Sequence, residues 1–272
     1  MLPLVLDELV AQVKNLLREP PLEWQPAEAA QEDMTLFEQE AAEPSRFDPL
    51  GLKRAAWKAY ASHKVPIQVT ECALAKVYAI LPPGVKIPTD DWGRLFQWLG
   101  PPKGGGKWKV FWMGATTPRN FPAAGQPLGA EHLNGGYTNA CSQRGIFIYR
   151  LEEATRVLVH EMLHAACLDP PVDSIPIREA TTETWAELFL VAYRSRGVPG
   201  QAARLWALQS QWIADTNQRS SRQHNVRGNA QYGWRYLNGR EVVLADLGIV
   251  LPAPTKGPPP TSSRFTHPVL GN

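Results

Sequence analysis

Two histidines and a glutamate stand together in one apolar stretch of the chain, at positions 160, 161 and 164. His160 and His164 are four residues apart, so on a helix both imidazoles project from the same face. Both rings can then reach one Zn²⁺ at about 2.0–2.1 Å. Glu161 lies about 100° further around such a helix, where its carboxylate reaches a water on that ion without ligating the ion. The three residues therefore predict a zinc site with His160 and His164 as ligands and Glu161 as the catalytic base.

The alternative is that these three side chains are ordinary residues of a buried core. Their neighbours are apolar, which predicts a buried helix over 151–166, and a strand over 145–150 is predicted directly before it. Polar groups in such a helix are costly unless something satisfies them. A bound cation satisfies both histidines, so the sequence favours the metal site.

A catalytic zinc ion needs a third protein ligand and one open position. Asp169 and Cys167 both follow His164 closely, but Cys167 fits better as a small buried hydrophobic side chain. The metzincin pattern is excluded, because it needs glycine at 167 and a ligand at 170, where this chain has Cys167 and Pro170.

Three glutamates provide better candidates for the third ligand. Glu179, Glu183 and Glu187 lie four residues apart on one side of a helix predicted over 179–196. Like charges at this spacing repel each other, and a bound cation would relieve that repulsion. A solvated helix face is the alternative interpretation.

The arrangement of histidines and glutamates resembles the gluzincin pattern. His160-Glu161-x-x-His164, eighteen intervening residues and then Glu183 have the spacing found in aminopeptidase N-like enzymes. The resemblance implies a zincin-like fold, hydrolysis of peptide bonds, Glu183 as the third zinc ligand and Glu187 as the residue that orients His160.

A second similarity is to uncharacterised H-E-x-x-H proteins of large DNA viruses, and it covers residues 129–190. It depends on the strand with Asn134-Gly135-Gly136, the segment Ile146–Arg150 and the helix segment Thr182–Ala186. The chain departs from the usual gluzincin helix at Thr182, where asparagine is usual. This similarity implies a virion or the cytoplasm of an infected cell as the setting.

Peptide hydrolysis also needs a group that stabilises the oxyanion, usually a tyrosine or histidine on a later helix. His224 and Tyr232 follow the third predicted helix, over 202–217, at a suitable distance along the chain. Tyr236 is a further candidate, whereas Tyr193 stands too soon after Glu183 and fits a structural role better. The predicted substrate is a peptide or protein.

The order of the predicted elements favours an α+β fold, with a small mixed or antiparallel sheet followed by the active-site helices. We expect an amphipathic helix over 3–18 and an acidic linker in residues 1–47, a zincin-like domain over 48–250 and a Pro-rich disordered or extended tail over 251–272. Helices are predicted over 53–64, 71–81 and 89–99, and strands over 66–70, 107–113 and 129–138.

Composition and charge restrict the classes of function. The 272 residues are 44% hydrophobic and 20% charged, which suits a sizeable core, and no apolar stretch approaches the ~20 residues of a membrane span. No signal peptide is recognisable, and three scattered cysteines do not suggest a disulfide-rich domain, so an intracellular location without membrane contact is expected.

The charges are unevenly distributed. Residues 1–50 carry 11 acidic and 3 basic side chains, whereas five arginines lie within Arg219–Arg240 with no acidic residue among them. The basic segment could contact nucleic acid, and the terminal arms could bind a protein partner.

The first functional hypothesis is a zinc peptidase. The alternative is a structural or assembly protein that retains a zincin fold with or without metal.

Overall fold

The computed structural model describes residues 2–270, in which helices and one six-stranded mixed sheet are combined. This is consistent with the α+β class expected from the sequence. The helices are α1 (Leu4–Leu16), α2 (Gln31–Ala42), α3 (Leu52–Ala61), α4 (Thr89–Leu99), α5 (Ala130–Leu133), α6 (Ala154–Ala165), α7 (Ile175–Arg194), α8 (Pro199–Gln223) and α9 (Gly239–Asp246), with a 3₁₀ turn at Tyr232–Arg235. The strands are β1 (Gln25–Pro26), β2 (Ile67–Glu71), β3 (Ala75–Ile80), β4 (Trp108–Ala115), β5 (Gly136–Thr138) and β6 (Ile146–Arg150).

The chain divides into two compact units. Unit 1 contains the N-terminal segment as far as Glu19, the segment Arg119–Leu133 and the chain from Asp169 onwards. Unit 2 contains Pro20–Pro118 and Asn134–Leu168, and therefore the whole sheet together with α2, α3, α4 and α6. The division expected from the sequence was instead an arm, one domain and a tail, with boundaries after residues 47 and 250.

The sheet of unit 2 has the strand order β1-β2-β3-β4-β6-β5. Strands β3, β4 and β6 run parallel to one another, and the short strands β2 and β5 pair antiparallel with β3 and β6. All five residues of β6 are buried, as expected for a central strand covered on both faces. β5 is the edge strand next to β6, and β6 leads directly into α6.

An aromatic core joins α2 to the sheet. Phe37 of α2 packs on Phe111 of β4 with ring centroids 5.2 Å apart, and Phe111 stacks in turn on Tyr78 and Phe147 at 5.2 and 5.1 Å. The expectation of a linker is wrong for residues 31–42, which form a helix. The many charges of α2 mask its periodicity, but Phe37 and Ala41 are buried in this core.

Two further expectations about local structure are wrong. Residues 71–81 are not helical, because β3 pairs with β2 as a hairpin and with β4 in parallel, and its burial hides the alternation that identifies a strand. Residues 130–133 are one helical turn instead of a strand, and the strand begins only at Gly136. His132 stabilises that turn locally, because its Nδ1 accepts the Gly129 N–H at 3.1 Å.

Unit 1 is a helical unit that includes both ends of the described chain. The apolar side of α1 is buried, and α1 packs against α7 and α8. The segment from residue 251 to 270 has little regular structure but contributes buried side chains, among them Phe265 and Leu270. Within residues 2–270 no helix combines the length and the apolar character needed to cross a membrane.

Candidate metal centre

Helix α6 carries the predicted zinc ligands inside unit 2. Every residue of α6 except Thr155 is buried, and the helix packs against α4, β5 and β6. A helix that is apolar on all sides must be buried, so its sequence places the polar groups His160, Glu161 and His164 in the interior. Their relative exposures are 5%, 6% and 8%.

The two imidazoles face each other. Nε2 of His160 and Nε2 of His164 are 3.0 Å apart, and the ring planes are nearly perpendicular, at 80°. Two nitrogens at this distance must share either one proton, with one ring as donor and the other as acceptor, or one cation. Two ligands of a tetrahedral zinc ion are about 3.3 Å apart, so the pair fits Zn²⁺ with little movement.

Edge strand β5 passes directly over the position of Glu161. A Cβ added at Gly136 would lie 2.6 Å from Val157 Cγ1 and 3.6 Å from Glu161 Cγ. Only glycine therefore lets the strand come this close to the helix, which explains the glycine in the Asn134-Gly135-Gly136 motif. The Asn134-Gly135-Gly136 motif and the H-E-x-x-H motif of α6 therefore lie side by side in unit 2.

A buried polar network fixes β5 from its other side. The Tyr137 hydroxyl donates to Glu40 Oε2 at 2.6 Å and accepts from Lys53 Nζ at 2.8 Å, and Arg144 forms an ion pair with Glu40 at 2.9 Å. Burial lowers the pKa of Lys53 although Glu40 opposes this shift, and burial together with Glu40 raises the pKa of Tyr137. No pattern in the sequence indicates this role of Glu40, which lies in the segment expected to be a linker.

A disulfide lies at the C-terminal end of α6. Cys141 and Cys167 are bonded to each other, and their backbone N–H groups donate to the carbonyl of His164 at 3.0 and 3.1 Å. The expectation that Cys167 is only a small hydrophobic residue is therefore wrong. The number of cysteines is odd and these two are 26 positions apart, so the sequence offers no signal for the pairing.

The glutamate row lies on α7 in unit 1. Glu183 and Glu187 are each 2% exposed, whereas Glu179 is partly exposed. The Glu187 carboxylate accepts from Arg240 Nη1 at 2.6 and 2.9 Å and from Gln209 Nε2. Arg240 was missed as a structural residue because the sequence placed it in the basic segment. The role of Glu187 toward His160 stays a prediction.

The predicted oxyanion-stabilising residues lie in two different clusters of unit 1. Tyr232 has its ring 5.3 Å from that of Tyr236, and burial, with the charge of Glu179 as the next cause, raises the pKa of Tyr236 well above its usual value. His224 stacks on Phe121 at 5.3 Å, and its Nδ1 lies 2.8 Å from the Gln126 carbonyl. Tyr232 therefore lies beside a residue that interacts with the charge of Glu179, whereas His224 packs at the end of α8.

Tyr193 is buried and stacks on Phe189, in agreement with the structural role expected for it.

Comparison of the chain with models of protein families, with curated proteins and with solved structures finds no match.

Proposed function

We propose that the protein is a zinc-dependent peptidase of gluzincin type with a zincin-like fold. The observation that carries the proposal is the buried pair of imidazoles on α6, whose Nε2 atoms lie 3.0 Å apart beside Glu161. Two imidazoles that converge on one point, with a carboxylate at the position after the first histidine, suit Zn²⁺ and its water.

The third ligand in this proposal is a carboxylate of α7. Glu183 has the gluzincin spacing and is buried, as a ligand should be, and Glu179 one turn earlier is the alternative. Glu187 is the weakest of the three as a ligand, because Arg240 and Gln209 already bind its carboxylate.

When bound, zinc would lower the pKa of a water molecule and polarise the scissile carbonyl. Glu161 would accept the proton of the attacking water and pass it to the leaving amine. His160 and His164 would hold the zinc ion. The disulfide at the end of α6 holds the backbone of His164 in place. Tyr232 is the better of the oxyanion-stabilising candidates, because Tyr236 beside it interacts with the charge of Glu179.

An extended peptide is the substrate that suits the sheet. β5 is the last strand on its side and lies over Glu161, so a peptide that pairs with β5 has its backbone close to the catalytic base. The mechanism of recognition is then main-chain hydrogen bonding, with side-chain preference left to neighbouring residues.

Elemental analysis of zinc per chain tests the proposal. We expect about one zinc per wild-type chain, loss of zinc in H164A and E183A, and retention in the matched variant E179A. If E179A loses zinc and E183A keeps it, the third ligand is Glu179. A folded wild-type chain that takes up no zinc sinks the proposal.

Activity is tested with E161Q, which keeps the shape of the side chain but removes the base. We expect cleavage of an unfolded protein such as casein to fall by about 10²–10⁴-fold while zinc content stays the same. Equal cleavage by wild type and E161Q would trace the activity to a contaminant or to another mechanism.

An assembly protein that retains the site is the second candidate. Its sequence support was the pair of terminal arms, but the apolar side of α1 is buried against α7, and Phe265 and Leu270 of the tail are buried. A wild-type chain that binds zinc but cleaves no peptide would favour this candidate.

A further inference from the structure

The basic segment Arg219–Arg240 does not form a continuous cationic surface. Arg240 is fully buried against Glu187, and the guanidinium of Arg235 lies 5.0 Å from the centre of the Tyr232 ring. Arg227 is exposed, and its Nε donates to Asn225 Oδ1 at 2.9 Å. A track of phosphates along a nucleic acid would need these arginines side by side on one exposed face.

Arg219 and Arg222 remain, and they line a cleft in unit 1. They are three residues apart near the end of α8 and therefore project from the same side of the helix. The segment after α9 crosses this side and adds Lys256. The cleft has a volume of about 300 Å³, and its lining residues are Gln218, Arg219, Arg222, Gln223, Pro254, Thr255, Lys256, Gly257 and Pro259.

Hydrogen bonds pin the crossing segment on both sides of Lys256. The N–H and hydroxyl of Thr255 donate to the two carboxylate oxygens of Asp215 at 2.6 and 3.2 Å. Gln211 Nε2 donates to the Ala253 carbonyl at 3.1 Å, and Arg219 Nη1 donates to the Pro260 carbonyl. These hydrogen bonds hold the backbone of the segment that forms one wall of the cleft.

Three cations and no carboxylate line this cleft. Within residues 2–270, no ion pair joins Arg219, Arg222 or Lys256 to an acidic side chain. The nearest acid along α8, Asp215, is occupied by Thr255. Arg219 also has its Nε buried without a hydrogen-bond partner, and burial lowers its pKa. An anion in the cleft would compensate this partly desolvated guanidinium.

The C-terminal end of α8 opposes an anion, because a helix end carries about half a negative charge there. Three full positive charges outweigh it. Guanidinium groups bind phosphate oxygens through paired N–H donors, and lysine adds a point charge. The volume exceeds that of a phosphate ion and is at the lower end of the range for small-molecule sites.

We propose that this cleft binds the phosphate group of a small phosphorylated molecule through Arg219, Arg222 and Lys256. The site is local, because the other arginines of the segment, Arg227, Arg235 and Arg240, do not line the cleft. Arg219 lines it, although its guanidinium also lies 4.7 Å from the centre of the Phe121 ring. The proposal does not depend on the zinc site.

Calorimetric titration of the full chain with inorganic pyrophosphate tests the proposal, at ionic strength fixed by chloride and with a chelator present so that no metal binds the probe. We expect millimolar or tighter binding, and R222Q/K256Q should weaken it at least about tenfold. Arg222 and Lys256 are exposed, so the variant should fold, and an unchanged thermal unfolding midpoint checks this. The matched control is R227Q, which also removes an exposed arginine but lies outside the cleft.

Two results would overturn the proposal. One is an absence of pyrophosphate binding, or equal binding by wild type and R222Q/K256Q. The other is a single-stranded oligonucleotide that binds more tightly than pyrophosphate and is weakened as much by R227Q as by R222Q/K256Q. That outcome would indicate a nucleic-acid surface instead. Inorganic phosphate, titrated in parallel, shows whether one phosphate group suffices.

Discussion

Helices α6 and α7 both bury ionisable side chains, but they satisfy them in different ways. On α7 the Glu187 carboxylate accepts from donors of the protein itself, since Arg240 contacts both oxygens and Gln209 adds a third contact. On α6 the nitrogens of His160 and His164 converge on one point, 3.0 Å apart. The buried ion pair of α7 stabilises the fold only while both charges are present. The converging ring nitrogens of α6 instead suit a shared proton or a shared cation.

The largest expected effect comes from breaking the pair on α7. Arg240→Met leaves the carboxylate of Glu187 buried without its counter-charge, and we expect the free energy of unfolding to fall by about 3–5 kcal/mol. Urea unfolding measures this. The double variant E187Q/R240M removes both charges and should recover much of the loss. A loss below about 1 kcal/mol in R240M would mean that the ion pair is dispensable.

The second prediction concerns the disulfide that holds the end of α6. Replacing both cysteines, in C141S/C167S, should lower the free energy of unfolding by about 2–4 kcal/mol, because the bond joins residues 26 positions apart and so closes a loop in the unfolded chain. It should also weaken zinc binding, because the bond holds together the two backbone segments whose N–H groups donate to the carbonyl of His164.

The matched control is C72A, since Cys72 is buried and has no disulfide partner. Its zinc affinity should equal that of the wild type. Titration of the unfolded, unreduced chain should find one free thiol. Three free thiols would show that the bond does not form under the conditions of expression, and the expected change in zinc affinity would then be absent.

The sequence predicted strand β6 and helix α6 better than the elements around them. Strand β6 and helix α6 follow from short-range patterns: a run of β-branched and aromatic residues, then an apolar helix with polar residues four apart. Strand β3 could not be recognised, because burial on both faces removes the alternation of a strand. Pairings over long distances were also invisible, such as Glu40 with Tyr137 and Glu187 with Arg240, since no local pattern indicates which charges meet.

The third prediction separates the two helices by their response to metal. At a free zinc concentration 100 times the dissociation constant, zinc should stabilise the wild type by about 2.7 kcal/mol. R240M should keep this increment although it is less stable, and H164A should lose it. Unfolding measured with zinc and with chelator gives the increment for each variant. An increment that survives in H164A would place the zinc elsewhere in the chain.

The smallest effect is expected from Gly136→Ala, which tests how closely β5 approaches α6. The new methyl group would meet Val157 Cγ1 at 2.6 Å and the Phe147 carbonyl oxygen at 2.8 Å, and the backbone oxygen cannot rotate away. We expect a loss of about 1–3 kcal/mol in the free energy of unfolding from this overpacking.

Gly228→Ala is the matched control, because a Cβ there would have only Gln231 Oε1 nearby, at 4.0 Å. It should be neutral or slightly stabilising, since alanine restricts the unfolded chain. In G136A the methyl group forces β5 away from Val157 and Glu161, so any peptide cleavage should fall by more than the loss of folded protein explains. A variant that is destabilised yet cleaves at the wild-type rate per folded molecule would show that β5 supports the helix but does not position the substrate.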